Sequence, residues 1–394
     1  MPWLAERARA ELADIAAAER TRLRQTVGAS RADGQVRCAD GQWRRVFCSN
    51  DYLGLAGDPR LAAAAAGADA SGARASQHVC GYHAEQAALE AELAAVLGVP
   101  RVLVGGSGYA LNSGAIAVLA GAQDQIYSDA LNHASLIDGC RLSRARVQRY
   151  AHADLADLQA HMDSAARPAA GQLIVTDALF SMDGDVAPLA GLLDLARRRD
   201  AALYVDDAHG FGWAGPGGSG HLAAAGLADA RVVQLVTFGK ALGGYGAALA
   251  GEADIIEWLL QRCRTTMFAT ALPPAVCAAA RAALRICAGE PEHAARLRAR
   301  IALFRREAAA AGLRLLPSQS PIQALLLGAE SRALAWQQGL WQRGYWVNAI
   351  RPPTVPAGTA RLRITLSAAQ AEADVRGLVA ALAELQAAET ALSA

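Results

Sequence analysis

Val232-Val233-Gln234-Leu235-Val236-Thr237-Phe238-Gly239-Lys240 is an apolar run that ends in a glycine and a lysine. Its length and β-branched residues read as a buried strand over 232–237, handing over to a loop. The lysine stands out by count. Lysine and arginine together number 38, and Lys240 is the only lysine among them. Arginine keeps its proton to a pKa of about 12.5 or higher, whereas lysine, near 10.4 when unperturbed, can lose it and act as a nucleophile. A lysine kept in such a chain points to work arginine cannot do. That work is Schiff-base formation, above all with pyridoxal phosphate, or general-base catalysis. A chance surface lysine is the plain alternative.

Working outward, strands are expected at 101–104, 125–128, 147–150, 172–176, 202–206, 232–237 and 247–250, with helices between them such as 189–199. Such alternation is the pattern of an α/β protein with a parallel sheet covered by helices on both faces. Upstream, an amphipathic helix runs to about Arg24 and residues 28–41 are polar and turn-rich. A short strand at 45–48, a loop through Asn50-Asp51-Tyr52-Leu53-Gly54-Leu55 and a helix over 85–97 closed by Gly98 follow. After Gly289-Glu290-Pro291 the pattern changes to a helix at 294–312, a strand at 322–327, a helix at 331–343, strands at 345–349 and 360–366, and a last helix from 371. The expected parts are therefore an N-terminal helix-and-strand segment (1–48), a large cofactor-binding domain (49–288) and a smaller α+β domain (289–394).

With 394 residues, 53% hydrophobic and 19% charged, the chain can bury a large core. A net charge of +1 with no basic run offers no footprint for nucleic acid. The seven cysteines are odd in number and scattered, with no CxxC pair, so neither a disulfide framework nor a zinc site is signalled, and no metal is expected. The charged N-terminus lacks the apolar run of a signal peptide. The long apolar stretch at 269–288 contains Pro273, Pro274 and Arg281, so it is not a membrane span. A cytoplasmic protein is expected.

Several strand ends carry chemistry. Gly105-Gly106-Ser107-Gly108-Tyr109 lies between a strand and a helix, where backbone amides can approach an anion, or it is a plain tight turn. It is not a Walker loop, because Ala241 follows Gly239-Lys240, and it lacks the spacing of a nicotinamide-binding turn. Val205-Asp206-Asp207-Ala208-His209-Gly210 ends a hydrophobic strand, where an open α/β sheet places its ligands. A carboxylate there needs a cationic partner such as a pyridinium nitrogen; the alternative is a pair of capping aspartates. His133, in Asn132-His133-Ala134-Ser135, could stack on a cofactor ring or cap a helix. Ser181, in Phe180-Ser181-Met182-Asp183-Gly184-Asp185, follows another strand end and is equally explained by turn chemistry. Their convergence with Lys240 on one sheet edge is the signature of a site.

The runs 50–55, 180–185, 206–210 and 237–240 together resemble the α-oxoamine synthases, pyridoxal-phosphate enzymes of the aspartate-aminotransferase fold (fold type I). The resemblance covers essentially the whole chain. Within that family, Ala349-Ile350-Arg351-Pro352-Pro353-Thr354-Val355-Pro356 resembles the biotin-pathway branch. The resemblance implies a homodimer that condenses L-alanine with a pimeloyl thioester of coenzyme A or acyl carrier protein and releases carbon dioxide. Lys240 would hold the cofactor as a Schiff base and move the substrate α-proton, Asp206 would pair with the pyridine nitrogen, and His209 would bond the phenolic oxygen. His133 would stack on the ring and count among the substrate contacts, while Ser181 would sit beside the cofactor. Gly108, Tyr109 and Thr237 would hold the phosphate, joined by Thr270 from the partner chain. Arg363, assisted by Asn50, would take the amino-acid carboxylate, a task suited to a bidentate fork. Arg22, with Arg24 as its competitor, and Thr354 would contact the acyl substrate. The chain departs from the family at Tyr109, where phenylalanine is more usual, and at Gln86, where relatives often have histidine. A sister enzyme joining glycine to a short acyl-CoA is the alternative.

Overall fold

The computed structural model of the chain describes residues 3–18, 20–164 and 170–393. Residues 1, 2 and 19 of the expected first helix lie outside the described residues, as does 394 of the last part. All seven expected strands of the large unit form one sheet. Its order is Arg101–Gly105, Ala247–Gly251, Val232–Thr237, Ala202–Asp206, Gln172–Asp177, Gln125–Asp129, Arg146–Tyr150. Every residue of Ala247–Gly251 is buried, as is nearly every residue of the three strands beside it. That explains their near-continuous apolar reading, since a sheet covered on both faces has no solvent side to alternate with.

The sheet is not wholly parallel. Ala247–Gly251 runs antiparallel to both of its neighbours. The cause is the length of the 238–246 connection. A parallel return needs a crossover of a dozen or more residues, and this segment instead folds back as a tight turn. Phe238 N–H donates to the Gly246 carbonyl at 2.9 Å, Gly244 N–H to Phe238 at 2.8 Å and Gly243 N–H to Lys240 at 2.9 Å. Lys240 is thus carried on a hairpin end, not on a flexible crossover.

Three further expectations change. The first helix is Trp3–Ala17, shorter than expected, and none of its residues is buried. Without a packed face only helix propensity sustains it, and residues 20–25 lie outside any helix or strand, most of them lining a groove with Trp341 and Trp346. The turn-rich 28–41 segment contains two short strands, Val27–Ser30 and Gln35–Cys38, paired with each other and then with Trp43–Val46. Strands of four residues with no alternating burial carry too little periodic signal to stand out. The expected strand at 345–349 divides at Val347: Tyr345–Trp346 pairs with Trp43–Val46, and Asn348–Ile350 pairs with Ala360–Thr365.

Ala360–Thr365 is central in the small sheet, between Ile322–Gly328 and Asn348–Ile350. Ala360, Leu362 and Ile364 join a core that also holds Phe47, Phe238 and Leu303, while Arg361 and Arg363 occupy the alternate positions, also buried. The period-2 geometry of a strand therefore turns two arginines toward the edge of the large sheet. No helix among the described residues is long and apolar enough to cross a membrane.

Gly243 fixes the return that carries Lys240. Its φ is +63°, and a Cβ there would lie 2.5 Å from the Leu55 carbonyl carbon and 2.7 Å from Ala56 Cα. Gly41 has a φ of +77° but open space around it. Gly41→Ala should cost only the left-handed backbone penalty, about 1 kcal/mol. Gly243→Ala adds a backbone collision and should cost roughly 2 kcal/mol or more, read as a clearly larger fall in melting temperature.

Candidate active site

The carboxyl ends of the central strands and the loops that follow them enclose a cavity of about 280 Å³. At one end stands the N-terminus of helix Gly108–Leu119, capped by Ser107, whose Oγ accepts from Ala110 N–H at 3.2 Å. A Cβ at Gly108 would sit 2.8 Å from Thr237 Cγ2, so the close approach of this turn to the Val232–Thr237 strand end favours glycine. Helix amides, Ser107 and Thr237 together make a place for an anion.

Opposite lies Asp206, buried, in register with Asp177 on the neighbouring strand. Asp206 accepts from Asn112 Nδ2 at 2.6 Å and from Ala208 N–H at 3.0 Å, both neutral donors. Burial and the charge of Asp206 push the Asp177 carboxyl well up, which favours its protonated form. Asp177 also accepts from His133 N–H at 2.7 Å. The adjacent Asp207 turns away from the cavity and accepts from His221 N–H at 2.6 Å and Gln234 Nε2 at 3.2 Å. Of the aspartate pair, one is structural and the other faces the site.

Lys240 lies between these ends. Burial lowers its pKa to about 8, although Asp206 and Asp177 favour the charged form; the Arg363 guanidinium lowers it further. A substantial share of neutral amine is then present at ordinary pH. His209 is pushed well down by burial, with Lys240 and Arg363 adding to the effect, so its ring is neutral. Its Nδ1 lies 2.7 Å from the hydroxyl of the fully buried Tyr52. His133 does both things its position allowed: it caps helix Ala134–Leu142, accepting from Ser135 N–H at 3.3 Å, and it lines the cavity.

One cavity thus gathers Asn50, Gly108, Tyr109, His133, Asp206, His209, Thr237 and Lys240. Ser181 and Arg363 adjoin it through Asn50. Arg363 Nε donates to the Ser181 carbonyl at 2.5 Å and Nη2 to Asn50 Oδ1 at 3.1 Å. Ser181 acts there through its backbone, which residue type alone does not reveal. Arg22, Arg351 and Thr354 line a second groove of about 540 Å³. Arg24 is not among that groove's lining residues. Thr270 is exposed and outside the cavity of its own chain. Tyr109 Oη donates to Asp138. Gln86 lies outside the cavity, bonded to Gln77 at 3.0 Å.

Sequence reasoning missed three members. Asn112 orients Asp206 and accepts from Tyr204 Oη at 2.7 Å; its signal is an amide one turn past Gly108 on a mostly apolar helix. Tyr52 lay inside the quoted 50–55 run. Asp177 is the last residue of a strand expected to end one position earlier. An anion cradle, a buried carboxylate and a nucleophilic amine in one cavity are what a phosphorylated carbonyl cofactor requires.

The chain belongs to the class I and II aminotransferases, the family whose sequence model matches residues 46–382. It is 49% identical to the 8-amino-7-oxononanoate synthase of Aromatoleum aromaticum, over 98% of this chain and 99% of that one. It is likewise 49% identical to the 8-amino-7-oxononanoate synthase of Delftia acidovorans, with 97% of each covered. Among solved structures it is similar to a Sphingomonas wittichii serine palmitoyltransferase, with a TM-score of 0.89, 30% identity and 98% and 97% of the two chains covered. An SPT solved with a PLP internal aldimine gives a TM-score of 0.87 at 28% identity, covering 93% and 92%.

The lowered pKa of Lys240 has a direct consequence. Treating the cofactor-free chain with pyridoxal phosphate and borohydride should label one internal peptide, containing residue 240. Labelling should be half-maximal near pH 8 and level off about one unit higher, because the neutral amine predominates above its pKa of about 8 and not only above the ordinary 10.5. A plateau reached only beyond pH 10, or equal labelling of Lys240→Arg within an internal peptide, would refute the assignment.

Proposed function

We propose that this chain is a pyridoxal-phosphate-dependent C-acyltransferase. It condenses L-alanine with a pimeloyl thioester to give 8-amino-7-oxononanoate, carbon dioxide and the free carrier thiol, a step of biotin biosynthesis. The observation that carries the reading is Lys240, the only lysine, set in the cavity with its pKa lowered to about 8 beside buried Asp206. The relatives that match nearly the full length at 49% identity support the choice of reaction.

The residues fit the cofactor. Among the described residues Asp206 accepts only from neutral donors, which suits it to a pyridinium nitrogen. The 106–108 turn and Thr237 suit the phosphate, His133 suits one face of the ring, and neutral His209, braced by Tyr52, suits the phenolic oxygen. When bound, pyridoxal phosphate supplies an electron sink for the electrons left on alanine when its α-proton, and later its carboxylate, departs. Lys240 binds the cofactor and carries the α-proton on Nζ. Arg363, oriented by Ser181 and Asn50, takes the carboxylate of alanine in a fork that a lysine could not offer.

The groove holding Arg22, Arg351 and Thr354 would receive the acyl side, whether coenzyme A or acyl carrier protein bears the thioester. With the division at residue 289, alanine would bind between Lys240 of the large part and Arg363 of the small one. Thr270, with Phe268 exposed beside it, would serve the cavity of a second copy in a cytoplasmic homodimer.

Specificity constants test the reading, using alanine, glycine and serine against acetyl, pimeloyl and palmitoyl thioesters. Alanine should lead glycine by only about 10–200-fold, because one methyl offers about 1–3 kcal/mol. Pimeloyl should lead acetyl by at least about an order of magnitude, because each added buried methylene contributes about 0.8 kcal/mol. Arg22→Ala and Thr354→Ala should narrow that lead. Equal use of acetyl and glycine would assign the sister activity instead. Asp206→Asn should keep the fold and lower turnover by roughly one to two decades, the equivalent of losing a charge-assisted bond of about 1.5–3 kcal/mol.

A further inference from the structure

His152 follows the edge strand Arg146–Tyr150 and takes no part in the cavity. Its two ring nitrogens face two different carboxylates: Nδ1 lies 2.9 Å from Asp129 Oδ1 and Nε2 lies 2.7 Å from Asp185 Oδ2. A neutral imidazole has one N–H, so one of these contacts would oppose a lone pair to a carboxylate. Only the imidazolium satisfies both.

The two carboxylates differ in what holds them. Asp129 is buried at the end of its strand and also accepts from Leu131 and Ala153 N–H, each at 2.8 Å, so it is fixed to the large sheet. Asp185 belongs to the 180–185 loop, and its Oδ1 is buried with no hydrogen-bond partner among the described residues. The ring of Phe180, from the same loop, stands edge-on to His152 at 4.4 Å. The loop is closed on itself by Phe180 N–H to the Asp185 carbonyl and Gly184 N–H to the Phe180 carbonyl, both at 2.9 Å. On its far side, the Ser181 carbonyl takes Arg363 Nε and Asp183 pairs with Arg361.

We propose that His152, clamped as a cation between Asp129 and Asp185, is a positioning residue for Arg363, acting through the 180–185 loop to set the affinity for the amino-acid carboxylate. The inference rests on the reading of Arg363 as the carboxylate site. It gives a role to a histidine that does not line the cavity. The two carboxylates raise the pKa of His152 to about 9, which keeps the clamp closed at neutral pH. A second anchor, Ser318 Oγ donating to the Gly184 carbonyl at 2.8 Å, keeps the loop in place when the clamp is lost, so its loss should loosen the loop and leave the fold intact.

The test uses the cofactor-loaded enzyme and the variants His152→Gln, Asp185→Asn and Arg363→Lys. His152→Gln and Asp185→Asn should each raise the alanine KM about tenfold, with the acyl-thioester KM and cofactor content within about twofold of wild type. Hydrogen exchange at the Phe180 and Gly184 amides, measured with and without pyridoxal phosphate, should quicken in both variants. Should His152→Gln fail to fold, Asp185→Asn reads the same contact without emptying the site. Wild-type alanine KM and unchanged exchange in the folded variants would overturn the clamp, as would a parallel rise in both KM values. Arg363→Lys separates the underlying reading: an unchanged alanine KM there would remove Arg363 from the substrate, whatever the clamp variants do.

Discussion

Asp206 and Lys240 set the constraint on which the rest of the structure depends. A carboxylate and an amine are placed at the buried edge of an apolar sheet, where an uncompensated charge costs several kcal/mol. The carboxylate is held by two neutral donors, Asn112 and the Ala208 amide. The amine responds by a lowered pKa, and the neighbouring Asp177 by a raised one. These displacements run in the direction that makes a nucleophile and leaves one anionic charge facing the cavity. A cofactor carrying a cationic nitrogen and a phosphate would relieve that charge and fill the helix N-terminus at once.

Because the demanding chemistry is concentrated at one sheet edge, the strand order matters more than any single residue. The antiparallel return at 238–246 puts Lys240 on a hairpin end braced against Leu55 and Ala56 through Gly243. The same core that packs Phe238 packs Leu362 and Ile364, so the buried arginines of Ala360–Thr365 are aimed at the edge by the pleat of their strand. The 180–185 loop links the two sheets, with His152 and Asp129 on one side and Arg361 and Arg363 on the other. The cavity is lined from the large sheet and Asn50, and the small sheet and the 180–185 loop join it at that asparagine through Arg363.

The sequence by itself determined much of this. The seven strands of the large sheet were legible because two-sided burial writes them as short apolar runs bounded by turn residues. Lys240, Asp206, His209, His133 and the Gly108 turn were legible because each sits at a strand end, where α/β sheets place ligands. Local signals also marked the caps, with Gly98 closing Ala84–Leu97 in the left-handed conformation. What only the tertiary structure decided is what depends on contacts remote in the chain. The direction of Ala247–Gly251, the hairpin within 27–38 and the division of the 345–350 strand between two sheets depend on which partner is near, and periodicity does not specify a partner. Asn112, Tyr52, Asp177 and the Ser181 carbonyl entered the site for the same reason. Their roles come from hydrogen bonds to groups far away in sequence, and a hydrogen bond is a property of geometry, not of residue type.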